Sequence, residues 1–370
     1  MMTPHPNYYI GIISGTSMDA VDAAIVCFDP EFKLVATQEI PIGEQLKQQI
    51  AQLADSSLIR IKDLAQIDIE LGLLFAQASL SLIEKCQIPC KQIKAIGCHG
   101  QTIRHYPELG FSWQIGDPNI IAEKTSITTV ADFRRRDLAA GGEGAPLVPA
   151  FHASIFRNYQ TDRVIANLGG IANITTLPKD NSQPVLGFDT GPANGLCDLW
   201  VKKHLDQSYD KSGNWASKGK VNLPLLESML TEKYFQQPPP KSTGRELFNL
   251  EWLEQHLKGY HDVTANDVQT TLVELTAISL TQAITSYGFK TGELYLCGGG
   301  AFNEYLTCRI KHHLPSYLVT TTEKLGLNPA WVEAAAFAWL AKQALTKQPG
   351  NLSTVTNAAG PRVLGAIYPG

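Results

Sequence analysis

Asp189 stands in the run Gly187-Phe188-Asp189-Thr190-Gly191-Pro192-Ala193-Asn194, just after the apolar stretch Val185 to Phe188. A carboxylate at the end of a strand suits general-base work on a hydroxyl or a water, and suits equally well the capping of a following helix. Three glycine loops could meet a nucleotide. Gly15-Thr16-Ser17-Met18-Asp19 lets several backbone N–H groups converge on an anion, or forms a hairpin turn capped by hydroxyls; the Walker spacing and its lysine are absent. Asp19 and Asp22 are hard carboxylates that could hold Mg²⁺ through water, or simply solvate that turn. Gly169-Gly170 could admit a phosphate or form a bulge, and Gly298-Gly299-Gly300 could let an adenine or ribose lie on the backbone or be a crowded loop. None of the three is a G-x-G-x-x-G fingerprint, which argues against a nicotinamide cofactor. His99-Gly100-Gln101-Thr102 could hydrogen-bond a sugar. In Asp132-Phe133-Arg134-Arg135-Arg136-Asp137 an arginine could fork onto a carboxylate or phosphate, although three adjacent arginines cannot all face one site. Glu333, alone in Trp331-Val332-Glu333-Ala334-Ala335-Ala336, either snorkels to the surface or accepts from sugar hydroxyls.

These residues need a scaffold, and the patterning predicts an α/β one. Tyr8 to Ile13 and Val21 to Phe28 read as a hairpin, Leu64 to Cys86 as a long one-faced helix, and Ile93 to Cys98 as a parallel strand. Ser126 to Val130 reads as a strand, Asp132 to Pro146 as a loop, and Leu147 to Phe156 as a helix. The opening pattern then returns about 155 residues later at Arg163 to Leu168, Gly169-Gly170 and Ile171 to Thr176, which suggests two like halves with a cleft between them. Pro238-Pro239-Pro240 marks a rigid surface loop. A helix over Asp267 to Tyr287, announced by Thr264, and a strand Glu293 to Cys297 complete an alternating strand–helix order with largely parallel sheets.

Composition narrows the function. The 370 residues carry 31 Lys+Arg against 35 Asp+Glu, a net charge of -4, so no broad basic surface is offered to nucleic acid. Seven cysteines without a C-x-x-C pair fit reduced thiols in a cytoplasmic protein. The start lacks a basic n-region and an apolar h-region, and no run of about 18 uncharged apolar residues follows, which disfavours secretion and membrane spanning.

The segments Ser14 to Asp19, His99 to Thr102, Asp132-Phe133-Arg134, Gly144 to Pro149, Asn167 to Asn173, Gly187 to Pro192 and Cys297 to Gly300 resemble, in order and over most of the chain, the bacterial anhydro-N-acetylmuramic acid kinase family. That family sits in the superfamily of sugar kinases, actin and heat-shock chaperone ATPases. The resemblance implies a two-lobed actin-like fold, duplicated and ribonuclease H-like, with a central nucleotide cleft; residues 1–145 plus 351–370 would form one lobe and 146–350 the other. It implies that Gly15, Thr16, Ser17, Met18, Asp19, Ala20, Val21 and Asp22 form the first ATP-phosphate loop. Gly169 and Gly170 would belong to the second, and Gly298, Gly299 and Gly300 to the adenosine loop. Asp189 would be the catalytic base, Asp19 and Asp22 would hold Mg²⁺ through water, and His99, Gln101, Thr102, Asp132, Arg134 and Glu333 would bind substrate. The implied reaction is an ATP-dependent opening of 1,6-anhydro-N-acetylmuramic acid with phosphorylation of O6, in a cytoplasmic homodimer that engages neither nucleic acid nor membrane. One departure is Ala20 where the family usually has Gly; an ordinary φ is expected there. An ordinary hexosamine kinase and a nucleotide-switched, actin-like interaction protein stay open as alternatives.

Overall fold

The computed structural model describes residues 7–15, 18–56 and 58–370, so Thr16 and Ser17 of the first glycine loop lie outside the described residues. The chain divides into two compact units, Met1–Ile155 with Trp331–Gly370, and Phe156–Ala330.

In the first unit, β1 (Tyr8–Ser14), β2 (Ala20–Cys27) and β3 (Lys33–Pro41) run antiparallel. β4 (Ile93–Cys98) lies parallel to β1 on its other side, followed by β7 (Thr129–Ala131) and the returning β13 (Ala366–Tyr368). A separate ribbon pairs β5 (Gln101–Tyr106) with β6 (Phe111–Ile115). β1 is buried along nearly its whole length, as expected of a central strand covered on both faces. Helices α1 (Glu44–Asp55), α2 (Ile61–Cys86) and α3 (Pro118–Thr125) pack together, and α2 lays Leu64, Ile67, Leu71, Phe75, Ala78 and Leu82 inward. By length and composition α2 could cross a membrane, but its apolarity is that of a helix packed on β2, β3 and α3.

The helix α12 (Val332–Leu345) packs on β1, β2 and β4. Glycine makes this approach possible: a Cβ at Gly11 would lie 1.7 Å from the Ala334 carbonyl oxygen, and one at Gly97 would lie 2.0 Å from that of Phe337. α12 therefore belongs to the first unit, whereas the expected division put residues 146–350 in the second; residues 146–155 also stay with the first.

Two local expectations change as well. The strand expected over Ser126 to Val130 begins only at Thr129, because Ser126 takes φ 53° and ends α3. The expected loop 132–146 contains α4 (Phe133–Leu138), and α5 (Val148–Phe156) follows it. Within α4, the buried Asp137 carboxylate accepts from Gly144 N–H (2.8 Å), Asn351 Nδ2 (2.6 Å) and Thr356 Oγ1 (2.8 Å), tying the helix and the loop after it to α13 (Ser353–Thr356).

In the second unit, β8 (Arg163–Leu168), β9 (Ile171–Leu177) and β10 (Leu186–Pro192) run antiparallel, and β11 (Gly292–Cys297) and β12 (Tyr317–Thr321) extend the sheet parallel to β8. The order β10-β9-β8-β11-β12 repeats β3-β2-β1-β4-β7 in neighbours and in direction, the duplication expected from the repeated hairpin. The helices are α6 (Asn194–Leu205), α7 (Leu223–Leu230), α8 (Lys233–Gln236), α9 (Leu250–Leu257), α10 (Ala265–Tyr287) and α11 (Glu304–His313). Thr264 Oγ1 accepts from Asp267 N–H and starts α10, whose Val268, Leu272 and Leu275 are buried.

Candidate active site

In the second unit Asp189 lies inside β10, opposite Asn173, with a bulge between it and Gly191, rather than at the end of the strand as expected. Asp189 Oδ2 accepts from Thr243 N–H at 3.0 Å, its N–H donates to Lys241 O at 3.2 Å, and its carbonyl accepts from the Tyr234 hydroxyl at 2.8 Å. Burial pushes its carboxyl up to about 6; Glu246 adds to the rise, while the Thr243 N–H and the Lys241 ammonium oppose it. A carboxylate tuned this way accepts a proton near neutral pH.

The turn Gly169-Gly170 is tied to the start of α6: Ala193, Asn194 and Gly195 N–H groups donate to Gly170, Gly169 and Gly170 carbonyls, each at 3.0 Å. A Cβ at Gly170 would meet nothing within 4 Å, so backbone is left open there for a ligand. The Gly298 to Gly300 loop divides into two kinds of glycine. Gly298, at φ 76°, would push a Cβ to 2.3 Å from Asn167 Oδ1, and Gly300 one to 2.6 Å from Leu168 Cβ; both are glycine because β8 is so close. At Gly299 the nearest atom, Asn194 Nδ2, would be 3.8 Å away, which leaves that backbone accessible. Asn194 also donates to Leu168 O at 2.8 Å, so it links the two glycine loops.

In the first unit the β4 end and α4 bring His99 and Arg134 together. Arg134 donates through Nε (3.2 Å) and Nη2 (2.9 Å) to His99 Nε2, and through Nη1 to Gly144 O (2.9 Å). With Nε2 accepting, the ring proton sits on Nδ1, which donates to Gly100 O at 3.0 Å. His99 is thereby kept neutral: burial and the adjacent guanidinium hold its pKa well below the ordinary value. Burial also lowers Arg134 to about 10, while Glu333 and Asp137 pull it back up. Glu333, in the first turn of α12, keeps access to solvent although surrounding protein raises its pKa; Arg134 is the cation that opposes the rise. Asp22 lies opposite Glu39 across the β2–β3 pair, and burial followed by Glu39 and Glu333 lifts its carboxyl to about 7.

The other residues expected at the site are engaged elsewhere. Gln101 Oε1 accepts from Ser14 Oγ at 2.6 Å, and Thr102 Oγ1 accepts from Gln114 Nε2 at 3.1 Å. Asp132, at φ 58° before α4, pairs with Arg135 at 2.6 Å, and Arg136 is exposed. Asp19 is largely exposed and pairs with Lys47. At the hairpin tip it is Met18 that takes the left-handed conformation, at φ 56°, while Ala20 and Val21 simply open β2; Ala20 has the ordinary φ expected of it. Sequence reading missed Lys241, Thr243, Glu246 and Asn194, whose roles depend on loops meeting in space. It also missed Gly11 and Gly97, although a glycine inside a buried strand is a legible sign of close approach.

The family profile of anhydro-N-acetylmuramic acid kinase matches residues 7–370. A relative of that name from Coxiella burnetii (strain Dugway 5J108-111) is 51% identical over 362 residues, covering 97% of each chain. One from Saccharophagus degradans is 50% identical over 98% of this chain and 99% of its own, and one from Shewanella pealeana is 48% identical over the same shares. Matched by the profile from residue 7 to its last residue, and about half identical to these relatives over nearly their full lengths, the chain belongs to the anhydro-N-acetylmuramic acid kinase family.

Proposed function

We propose that this protein is an ATP-dependent kinase that opens 1,6-anhydro-N-acetylmuramic acid with water and phosphorylates O6, giving N-acetylmuramic acid 6-phosphate and ADP in cell-wall recycling. Family membership supports the overall reaction. The observation that carries the mechanism is the Asp189 carboxylate, lifted to about 6 with Oδ2 held by the Thr243 N–H.

In the substrate O6 is bonded to C1, so no free 6-hydroxyl exists to be phosphorylated. Asp189 takes a proton from water as the water oxygen bonds to C1. The C1–O6 bonding pair stays on O6, which forms its new bond to the γ-phosphorus as the bond to ADP breaks. Phosphoryl transfer thus does for the leaving oxygen what a general acid does in an inverting glycosidase. The proton held by Asp189 is afterwards released to solvent.

The open backbone at Gly170 and Gly299, with Gly169, Gly298 and Gly300 beside it, is suited to phosphate and adenosine, and Gly15 to Asp22 to the first phosphate loop. Arg134 is assigned to the lactyl carboxylate and Glu333 to sugar hydroxyls; neutral His99 orients Arg134, and Gln101, Thr102 and Asp132 shape the surroundings. Asp22 suits a hydrated Mg²⁺, because a cation would offset the burial and the repulsion from Glu39 and Glu333 that lift its carboxyl to about 7 and would take the place of the proton it retains. Asp19 could join it by leaving Lys47. When bound, the ion would neutralise phosphate charge. A cytoplasmic homodimer is proposed from the family resemblance.

The test is turnover with ATP and Mg²⁺ and either the anhydro sugar or the ring-opened sugar. ADP should form rapidly only with the anhydro sugar, and ¹⁸O-water should label the anomeric oxygen and leave the phosphate bridge unlabelled. Phosphorylation of the open sugar at equal rate would indicate an ordinary hexosamine kinase, and turnover of neither a nucleotide switch.

A further inference from the structure

The run Lys241-Ser242-Thr243-Gly244-Arg245-Glu246 follows the triple proline and precedes α9 without forming a helix or strand. It nonetheless meets Asp189 at several atoms. Lys241 O takes the Asp189 main-chain N–H, and Thr243 N–H takes carboxylate Oδ2. Just before the run, Tyr234 of α8 donates its hydroxyl to the Asp189 carbonyl. The Lys241 ammonium is itself fixed, donating to the carbonyls of Tyr234 (3.1 Å) and Phe235 (3.4 Å) and lying 4.6 Å from the Tyr234 ring centroid. Glu246 is folded back toward the same loop, its Oε2 2.3 Å from where a Cβ on Gly244 would lie. On the far side, Phe235 closes over Gly191 past the bulge, where a Cβ would lie 2.6 Å from its ring.

We propose that Lys241, Thr243 and Glu246 are positioning residues for Asp189: the Thr243 N–H fixes Oδ2 so that Oδ1 receives the proton, and the loop that grips Asp189 carries Lys241 and Glu246 as opposite charges acting on it. The proposal rests on reading Asp189 as the base. The charged and titratable groups acting on Asp189 are Lys241 and Glu246 on the loop and Tyr234 on α8. Glu246 raises the proton affinity and Lys241 lowers it. Tyr234 is held in its neutral form by burial and by these acids.

Two variants, Glu246→Gln and Lys241→Met, separate this from a merely structural role. Each is read by the pH profile of kcat/KM and by ¹³C titration of the Asp189 carboxyl in the resting protein, assigned by its loss in Asp189→Asn. Glu246→Gln should move both the acid limb and the titration to lower pH by roughly 0.3–0.7 unit, the size of an exposed charge pair. Lys241→Met should move both upward. If Lys241→Met fails to fold, the exposed Glu246 decides alone. A carboxyl titration that stays in place in Glu246→Gln overturns the proposal, even if Asp189→Asn abolishes turnover and so upholds the base. A titration that moves while the kinetic limb does not would uphold the charge-setting and overturn the reading of Asp189 as base.

Discussion

In the first unit the charge of Arg134, a cation held in place by neutral His99 and the Gly144 carbonyl, acts on Glu333, while Asp22 lies opposite Glu39. In the second unit Asp189 has one N–H on its carboxylate, a fixed lysine nearby, and burial that raises its proton affinity. The two sheets under these groups share strand order and direction. What differs is the chain added at the strand ends: α4 and α12 in one unit, the 237–246 loop in the other. On the proposed roles, a repeated sheet would carry a cation-centred binding surface once and a proton acceptor once, because chemistry resides in the appended segments and not in the fold.

The comparison breaks most visibly at Asp189. Asp189→Asn keeps shape and hydrogen bonding but cannot accept a proton, so kcat should fall by roughly two to four orders of magnitude with ATP and sugar binding retained by calorimetry. Near-normal turnover would remove the base from the second unit. Gly97→Ala comes next: its Cβ would lie 2.0 Å from the Phe337 carbonyl oxygen, so α12 must lift. A loss of about 3 kcal/mol, or roughly 6–12 °C in Tm, is expected by calorimetric melting. An unchanged Tm would mean that α12 does not need this approach.

Gly170→Ala tests the opposite kind of glycine, since its Cβ meets nothing within 4 Å. Stability should hold while the KM for ATP rises about tenfold, roughly 1.4 kcal/mol of binding; an unchanged KM would argue that this backbone does not approach phosphate. The smallest effect concerns Asp22. Its folded carboxyl titrates at about 7 against an ordinary 3.8, so folded protein retains a proton that unfolded chain has lost. Stability is then lost as pH rises from about 4 through about 7. Asp22→Asn should remove that loss and raise Tm relative to wild type by about 2–4 °C at pH 8 but not at pH 4. An equal offset at both values would show that burial and the neighbouring acids do not make Asp22 retain its proton on folding.

Much of the scaffold was legible from periodicity. α2 and α10 carry their buried residues where the three-and-four spacing put them, and the hairpins at Tyr8 and Arg163 pair as read. Boundaries failed where a single backbone angle decides, as at Ser126 and Asp132, because a positive φ outside glycine leaves little trace in local composition. The division into units failed at α12 for another reason: its partners, Gly11 and Gly97, lie more than two hundred residues earlier in the chain.

By itself the sequence determined the α/β alternation, the duplicated hairpin and the family motifs that point to a sugar kinase, since each is written in residues close together along the chain. Only the tertiary structure decided that Asp189 is gripped by Thr243 and flanked by Lys241, that His99 is neutral beneath Arg134, and that Asp132 spends its charge on Arg135. Proton affinities and hydrogen-bond partners depend on burial and on charges brought together from distant segments, and these exist only once the chain has folded.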